Sequence, residues 1–171
     1  ASRQIIIKDF NSVGYQITDL SLRDRSDGLP FIFVKELGIA KALPHYKLSQ
    51  GMFRSLALIT FLEYLTVTQK PQTVIIDDLC EGLDYDKATK LGRLVFQKCA
   101  DTSIQLIATS NDSFLMDVVS IENWNVLYRI GKTVQAINNV NHPDLVEKFR
   151  FTGLSNFDFF SSDFLKKQKA W

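Results

Sequence analysis

The sequence predicts an α/β fold with a parallel sheet at its core, on the strength of three patterns. An apolar run at residues 73–77 ends in adjacent carboxylates, an amphipathic helical pattern covers residues 85–100, and a second apolar run covers residues 103–110. Strand, helix and strand in this order indicate a parallel pair, because a parallel connection needs a crossover. Further along the chain, the sequence predicts a β-hairpin near the C-terminus.

Composition indicates one globular domain over residues 1–171, or a large piece of a bigger one. The 171 residues are 46% hydrophobic and carry a net charge of +1. With 20 basic and 19 acidic residues, DNA is a possible partner that the overall charge does not support. Cys80 and Cys99 lack the spacing of a metal site, and no apolar run is long enough to span a membrane. We therefore expect a cytoplasmic protein without a membrane partner.

The N-terminal third is predicted to be rich in strands. The expected elements are strands at 3–10, 14–24 and 31–37, a turn at 25–30, and an irregular hairpin arm at 38–48. The last arm is predicted to be irregular because Pro44 cannot donate a hydrogen bond to a central ladder.

A long helix is predicted from Gly51 to about Val67. Apolar residues occur on nearly every side of it, which indicates burial by neighbours over most of its surface. The next helix, 85–100, carries one apolar face, formed by Ala88, Leu91, Val95 and Cys99.

The C-terminal part is predicted to contain a hairpin, a short helix and an aromatic tail. The hairpin joins residues 123–130 to 133–140 around Gly131 and Lys132, and the short helix covers 143–150. Residues 151–171 are aromatic and irregular and end in a basic tail.

Asp77 and Asp78 follow the first strand of the predicted parallel sheet. Ligands collect at the carboxyl ends of such strands, where loops leave polar groups free to converge. Two carboxylates at this place suit holding Mg²⁺ through water and orienting an attacking water beside a phosphate. The alternative is that both are solvated acids that terminate a strand.

Polar residues in other segments are expected at the same sheet edge. Ser49, Gln50 and Gly51 start the long helix, where unpaired backbone N–H groups favour an anion and Ser49 can also cap the helix. Asp84 is placed to cap the following helix, and residues 106–112 end the next strand in small polar side chains.

These segments resemble, in order and spacing, the motifs of the ATP-binding-cassette ATPases. The resemblance is greatest to their soluble branch, which includes the structural-maintenance-of-chromosomes heads, the recombination protein RecF and the overcoming-lysogenization-defect nucleases. "LSQGMFR" resembles the signature motif, "TVIIDD" Walker B, "EGLD" the D-loop and "IATSND" the switch loop. The resemblance covers residues 47–117 and implies that the chain is the C-terminal lobe of such a P-loop ATPase.

The resemblance implies roles for the acidic residues and for the switch loop. Asp77 would hold Mg²⁺, Asp78 would stand at the position of the catalytic glutamate, and Asp84 would reach across a dimer interface. Two departures imply slow or altered hydrolysis. Asp78 is one methylene shorter than the usual Glu. Asn111 stands where the switch His would and cannot carry a proton.

The resemblance also implies a partner and an assembly. Ser49 and Gly51, with Gln50 between them, would grip the γ-phosphate of ATP bound to the opposite subunit of a head-to-tail homodimer. ATP and Mg²⁺ are thus the implied cofactors of the intact protein. ATP binding and hydrolysis would close and open the dimer, coupled to DNA repair, chromosome handling or phage defence.

One motif of the family is missing from the sequence. A phosphate-binding loop needs G-x-x-x-x-G-K-[ST] between a strand and a helix, and "RIGKTV" at 129–134 supplies only an imitation of its end. We predict that this segment is a hairpin turn. The Walker A lobe is expected N-terminal to this chain, and the chain alone is expected to bind ATP weakly or not at all.

Two other functions are compatible with the sequence. A non-hydrolysing interaction module could dock a partner through the aromatic tail, with anchors at Phe157, Phe159, Phe160, Phe164 and Trp171. The competing interpretation is that the phenylalanines close the core. A metal-dependent nuclease using Asp77 and Asp78 directly is less well supported, because no further acidic cluster accompanies them.

Overall fold

The structure, a computed structural model, describes residues 1–24, 28 and 30–161. Contacts divide the chain into two compact units, residues 1–112 and 113–171. Unit 1 contains the elements α1 (Ser2–Ser12), β1 (Ile17–Asp24), β2 (Pro30–Glu36), β3 (Leu43–Pro44), α2 (Gln50–Thr68), β4 (Gln72–Ile76), α3 (Tyr85–Ala100) and β5 (Ile104–Ala108). Unit 2 contains α4 (Ser113–Met116), β6 (Asn125–Ile130), β7 (Thr133–Asn138), α5 (Pro143–Arg150) and α6 (Asn156–Ser161).

The first segment of unit 1 is a helix, so the prediction of a strand at residues 3–10 was wrong. In α1 the buried residues are Ile6, Ile7 and Phe10, and Val13 just after the helix is also buried. Their spacing of three to four places them on one helical face. That face packs against α2.

An antiparallel sheet follows, in the order β1–β2–β3. Leu20 pairs with Val34, and Val34 pairs in turn with Leu43. Pro44 lies on β3 at the edge of this sheet, which confirms the irregular hairpin arm predicted from it.

Strands β4 and β5 form the predicted parallel pair, with Val74 opposite Leu106 and Ile75 opposite Ile107. Val74 and Ile104 are buried on one face, and α3 packs against β5. The opposite face is open, since Ile75 is 74% exposed and Ile107 is 48% exposed. The α/β fold class and the parallel connection are thus confirmed.

Helix α2 is less completely buried than predicted. Its inner face carries Leu56, Ile59 and Leu62, each at most 2% exposed. On the other side Tyr64 and Val67 are both 62% exposed. The apolar composition of the helix was therefore misread as burial on most sides, because composition does not show which neighbours are present.

A charged cluster links the three helices of unit 1. Lys98 Nζ of α3 lies 2.8 Å from Asp9 Oδ2 of α1 and 3.5 Å from Glu63 Oε2 of α2. The contact with Asp9 is an ion pair, since Asp9 Oδ2 accepts no hydrogen bond from the described residues. The side chains are 17%, 14% and 4% exposed for Lys98, Asp9 and Glu63, so the cluster is largely shielded from water.

Unit 2 is built around the predicted hairpin. Val126 pairs with Ile137, and the turn contains Gly131 at φ 58°, so "RIGKTV" is a hairpin turn as predicted. Seven buried residues of this unit form one cluster: Ile121, Val126, Ile137, Leu145, Val146, Phe149 and Phe159.

The aromatic tail contributes to that cluster. The rings of Phe149 and Phe159 lie edge to face with centroids 4.7 Å apart, and Phe159 is 1% exposed. For Phe159 the core interpretation is confirmed. Phe157 is 39% exposed, whereas Phe164, Trp171 and the side chain of Phe160 lie outside the described residues. Within the described part of the chain, none of the helices combines the length and apolar character needed to cross a membrane.

Candidate functional site

Asp77 and Asp78 are held by one residue of the neighbouring strand end, Thr109. The Thr109 hydroxyl donates to Asp77 Oδ1 at 2.5 Å and accepts from the backbone N–H of Asp78 at 3.0 Å. The backbone N–H of Thr109 donates to the carbonyl of Ile76 at 2.9 Å, which extends the ladder beyond β4 and β5. The two carboxylates therefore lie at the carboxyl end of the parallel pair, as predicted.

The backbone turns sharply after Asp77. Asp78 has φ 51° and Cys80 has φ 72°, values in the left-handed region that L residues rarely adopt. Leu79 anchors the turn, because it is 2% exposed and its N–H donates to the carbonyl of Thr109 at 2.9 Å. Its carbonyl accepts from the Ser110 hydroxyl at 3.4 Å. Residues 77–79 and the strand end at Thr109 and Ser110 thus form one hydrogen-bonded unit.

Asp84 ends this loop and caps α3, which confirms its predicted structural role. Its side chain accepts from the Lys87 N–H at 3.0 Å and from Lys87 Nζ at 2.6 Å. These hydrogen bonds, the side-chain bond first, lower the pKa of the Asp84 carboxyl. Asp84 is exposed at the end of this loop.

Ser49 caps α2, accepting from the N–H of Met52 at 3.3 Å. Gln50 begins the helix and is exposed, whereas Gly51 is buried. A Cβ at Gly51 would lie 2.9 Å from the carbonyl oxygen of Gly82 and 2.8 Å from Leu83 Cδ2. The start of α2 therefore packs against the loop before Asp84 so closely that only glycine fits.

Arg54, one turn into α2, forms an ion pair with Glu81 of the same loop. Cys80, the residue before Glu81, is buried and donates to the carbonyl of Ala88 at 3.4 Å. Burial, followed by the charge of Asp112, raises the pKa of the Cys80 thiol to about 12.

The structure brings together some predicted site residues and not others. The acidic pair, residues 109–110 and the start of α2 are linked through residues 79–83. Among the described residues, no hydrogen bond joins Ser49 or Gln50 to Asp77 or Asp78. Asn111 is exposed, and its neighbours Ser110 and Asp112 hydrogen-bond to each other at 3.0 Å.

Both carboxylates are exposed, so this edge of the sheet is open to solvent rather than enclosed. Oxygen donors of this kind fit Mg²⁺ held partly through water. Within the described residues there is no cluster of three acidic, histidine or cysteine side chains that could hold a metal unaided. The two carboxylates therefore offer exposed oxygen donors at this edge of the sheet, without further acidic, histidine or cysteine side chains beside them in the described part of the chain.

Sequence reasoning missed Thr109 and did not identify Glu81 as the partner of Arg54. The strand register points to Thr109. Ile76 pairs with Ala108, so the residues that follow them, Asp77 and Thr109, lie side by side. No local signal identifies the partner of Arg54, since the two residues are 27 positions apart.

No protein-family model matches the sequence, and no curated protein matches it either. Solved structures do match. A structure reported for ATP-driven dimerization and DNA-stimulated activation of SMC ATPases aligns with a TM-score of 0.63 at 15% identity, over 88% of this chain and 91% of that chain.

Two further structures are larger than the region matched. The Smc head from Pyrococcus furiosus, with an extended coiled coil and the C-terminal domain of ScpA, aligns with a TM-score of 0.60 at 16% identity, over 88% of this chain and 38% of that chain. An Smc head bound to the C-winged helix domain of ScpA aligns with a TM-score of 0.66 at 13% identity, over 80% of this chain and 42% of that chain. This chain thus spans less than half of these two, and its fold is that of SMC head domains.

Proposed function

We propose that this chain is half of an ATP-binding, dimerising head of a soluble ABC-type ATPase. The observation that carries the proposal is the linked edge of the parallel pair. Asp77, Asp78 and Thr109 meet there, and the start of α2 packs onto the loop that follows. The likeness to SMC heads supports it, since one such structure is described as undergoing ATP-driven dimerization.

The proposed chemistry assigns one task to each acidic residue. Asp77, fixed by the Thr109 hydroxyl, would hold Mg²⁺ through water. Asp78 polarises the attacking water, and Asn111 donates a hydrogen bond to phosphate. Bound Mg²⁺ neutralises charge on the phosphates when it is present.

The other half of the reaction would occur across a dimer interface. Ser49, Gln50 and Gly51 begin α2, whose N-terminal backbone N–H groups and positive dipole end favour an anion. We assign them to the γ-phosphate of ATP bound to the opposite subunit. Asp84, exposed at the end of the loop that packs against Gly51, is the residue proposed to contact that subunit.

The open face of the parallel pair supports a partner lobe. Parallel sheets are normally covered on both faces, and burying an exposed Ile contributes about 1.5–3 kcal/mol. Ile75 and Ile107 lie on the uncovered face. We propose that a lobe carrying G-x-x-x-x-G-K-[ST] completes this sheet and supplies the main triphosphate contacts. DNA repair, chromosome handling and phage defence remain the proposed processes.

Calorimetry with Mg²⁺ and ATP tests whether the main triphosphate contacts lie on the phosphate-binding lobe and not on this chain. The chain alone should bind weakly or not at all, and the protein that includes the phosphate-binding lobe should bind with a far lower dissociation constant. Micromolar binding by the chain alone would show that the triphosphate contacts are assigned to the wrong residues.

Dimerisation is tested on the protein that includes that lobe. Ser49→Arg should leave ATP binding intact and abolish the ATP-dependent dimer in size-exclusion chromatography, because a long cation occupies the proposed γ-phosphate position. Ser103→Arg, at the opposite end of β5, is the matched control and should still dimerise. If Ser49→Arg still forms an ATP-dependent dimer, the proposed head-to-tail arrangement is wrong.

A further inference from the structure

The ion pair between Arg54 and Glu81 lies at a junction of two functional segments. Arg54 is on α2, five residues after the cap Ser49, and Glu81 is on the loop four residues after Asp77. Beside this pair, Gly51 approaches the carbonyl of Gly82 so closely that a Cβ would be 2.9 Å from it. The helix start and the loop therefore touch through backbone packing and through one charge pair.

The loop is in turn fixed to the acidic pair. The N–H of Glu81 donates to the carbonyl of Asp78 at 3.1 Å, and the N–H of Leu83 donates to the carbonyl of Cys80 at 3.2 Å. The N–H of Asp78 is held by the Thr109 hydroxyl. A continuous set of contacts thus runs from Arg54 to the residues that hold the carboxylates.

We propose that Arg54 and Glu81 are positioning residues that hold the anion-binding end of α2 in register with Asp77 and Asp78. This inference rests on the proposed function, in which the two ends serve different ATP molecules of one dimer. A shift of α2 when its start meets the opposite γ-phosphate would then be transmitted to the water and metal ligands of its own subunit.

The exposure of the Arg54 and Glu81 side chains distinguishes a positioning role from a contribution to overall stability. The side chains of Arg54 and Glu81 are 38% and 60% exposed, and exposed ion pairs contribute little to global stability. Loss of the pair should therefore change the local opening of the loop and leave the overall unfolding midpoint almost unchanged.

Amide hydrogen exchange by NMR on the present chain tests the structural part. In Arg54→Ala, the amides of Glu81 and Leu83 should exchange about two- to fivefold faster, the range for an exposed pair. Arg54→Lys and the exchanged pair Arg54→Glu with Glu81→Arg should restore slower exchange. Lys90→Ala, which breaks the exposed Lys90–Asp86 pair, is the control and should leave both amides unchanged. Unchanged exchange in Arg54→Ala overturns the proposal.

Turnover in the protein that includes the phosphate-binding lobe tests the functional part. Arg54→Ala should lower kcat severalfold with an unchanged dissociation constant for ATP, and Arg54→Lys should recover part of the rate. Faster exchange with turnover at the parent rate overturns the positioning role. If the parent itself neither hydrolyses ATP nor dimerises, the proposed function fails and the positioning role fails with it, while the exchange data still report the contact.

Discussion

The Thr109 hydroxyl binds the Asp77 carboxylate and the Asp78 backbone at once, joining the ends of two parallel strands. Thr109→Val removes the hydroxyl at constant shape and leaves both groups without this partner. Because the site is exposed, we expect a loss of only about 0.5–1.5 kcal/mol in the free energy of unfolding. Urea unfolding measures it. Thr109→Ser keeps the hydroxyl and should lose much less. Equal losses in the two variants would contradict a role for the hydroxyl.

Gly51 should tolerate no side chain. In Gly51→Ala the new Cβ meets the carbonyl oxygen of Gly82, a backbone atom that cannot move alone. We expect a destabilisation of about 1–3 kcal/mol, typical of overpacking. Thermal or urea unfolding tests this value. Gln50→Ala, at the exposed neighbouring position, provides the control and should be nearly neutral. A stabilised Gly51→Ala protein would show that the contact is looser than described.

Lys98 is predicted to be the costliest charge to remove. Lys98→Met leaves Asp9 and Glu63 shielded from water without their cation. Such removal costs about 3–5 kcal/mol for a buried pair. Lys90→Met removes an equivalent lysine from an exposed pair and should cost about 0.5 kcal/mol or less. Denaturant unfolding compares the two, and similar small losses would mean that water reaches the Lys98 cluster.

Cys80 should make stability fall at alkaline pH. Burial raises the pKa of its thiol from 9.0 to about 12. Between those values the folded state holds a proton that the unfolded state has released, so stability is full below about pH 9 and decreases as pH rises. Cys80→Ser keeps a donor for the Ala88 carbonyl and removes this titration.

Urea unfolding at pH 7, 9 and 10.5 measures the difference between the two proteins. At pH 7 the parent protein should have a higher free energy of unfolding than Cys80→Ser. This difference should shrink by up to about 1.4 kcal/mol per pH unit above pH 9. Cys99 and Tyr15 also have raised pKa values through burial, but they titrate in both proteins and cancel in the comparison. Parallel pH profiles would contradict the assignment to Cys80.

Asp78→Asn separates chemistry from binding in the protein that includes the phosphate-binding lobe. The substitution keeps the shape and removes the charge that polarises water. Nucleotide binding and the dimer should persist while turnover falls by about 10²-fold or more. Asp77→Ala should instead weaken Mg²⁺-ATP binding, which calorimetry distinguishes. Phosphate release by Asp78→Asn at the parent rate would leave Asp78 as a solvated strand end.

The parallel pair could be predicted because its signals are local. Apolar runs that flank an amphipathic helix fix the type and direction of β4 and β5, and the acids after β4 then fall at one edge. The strand predicted at residues 3–10 failed because Ile5, Ile6 and Ile7 favour a strand locally. The helical spacing of Ile6, Phe10 and Val13 was the stronger determinant, since it allows packing on α2.

Other parts of the site depend on contacts between distant segments. The partner of Arg54 and the close approach at Gly51 follow from how α2 meets the loop, which no local pattern specifies. The exposure of Tyr64 and Val67 on α2 likewise could not be predicted from a local pattern. An apolar residue shows a preference for burial, and only the assembled structure shows whether a neighbour satisfies it.

The open face at Ile75 and Ile107 determines how free energies measured on this chain should be interpreted. A segment or subunit that covers this face binds the folded state and not the unfolded one, so it raises stability by mass action. Unfolding free energies of the chain alone are thus lower bounds for any assembly in which this face is covered. A substitution that strongly destabilises the isolated chain can be tolerated in such an assembly. The reason is that binding of the covering partner to the folded state adds to the free energy of unfolding.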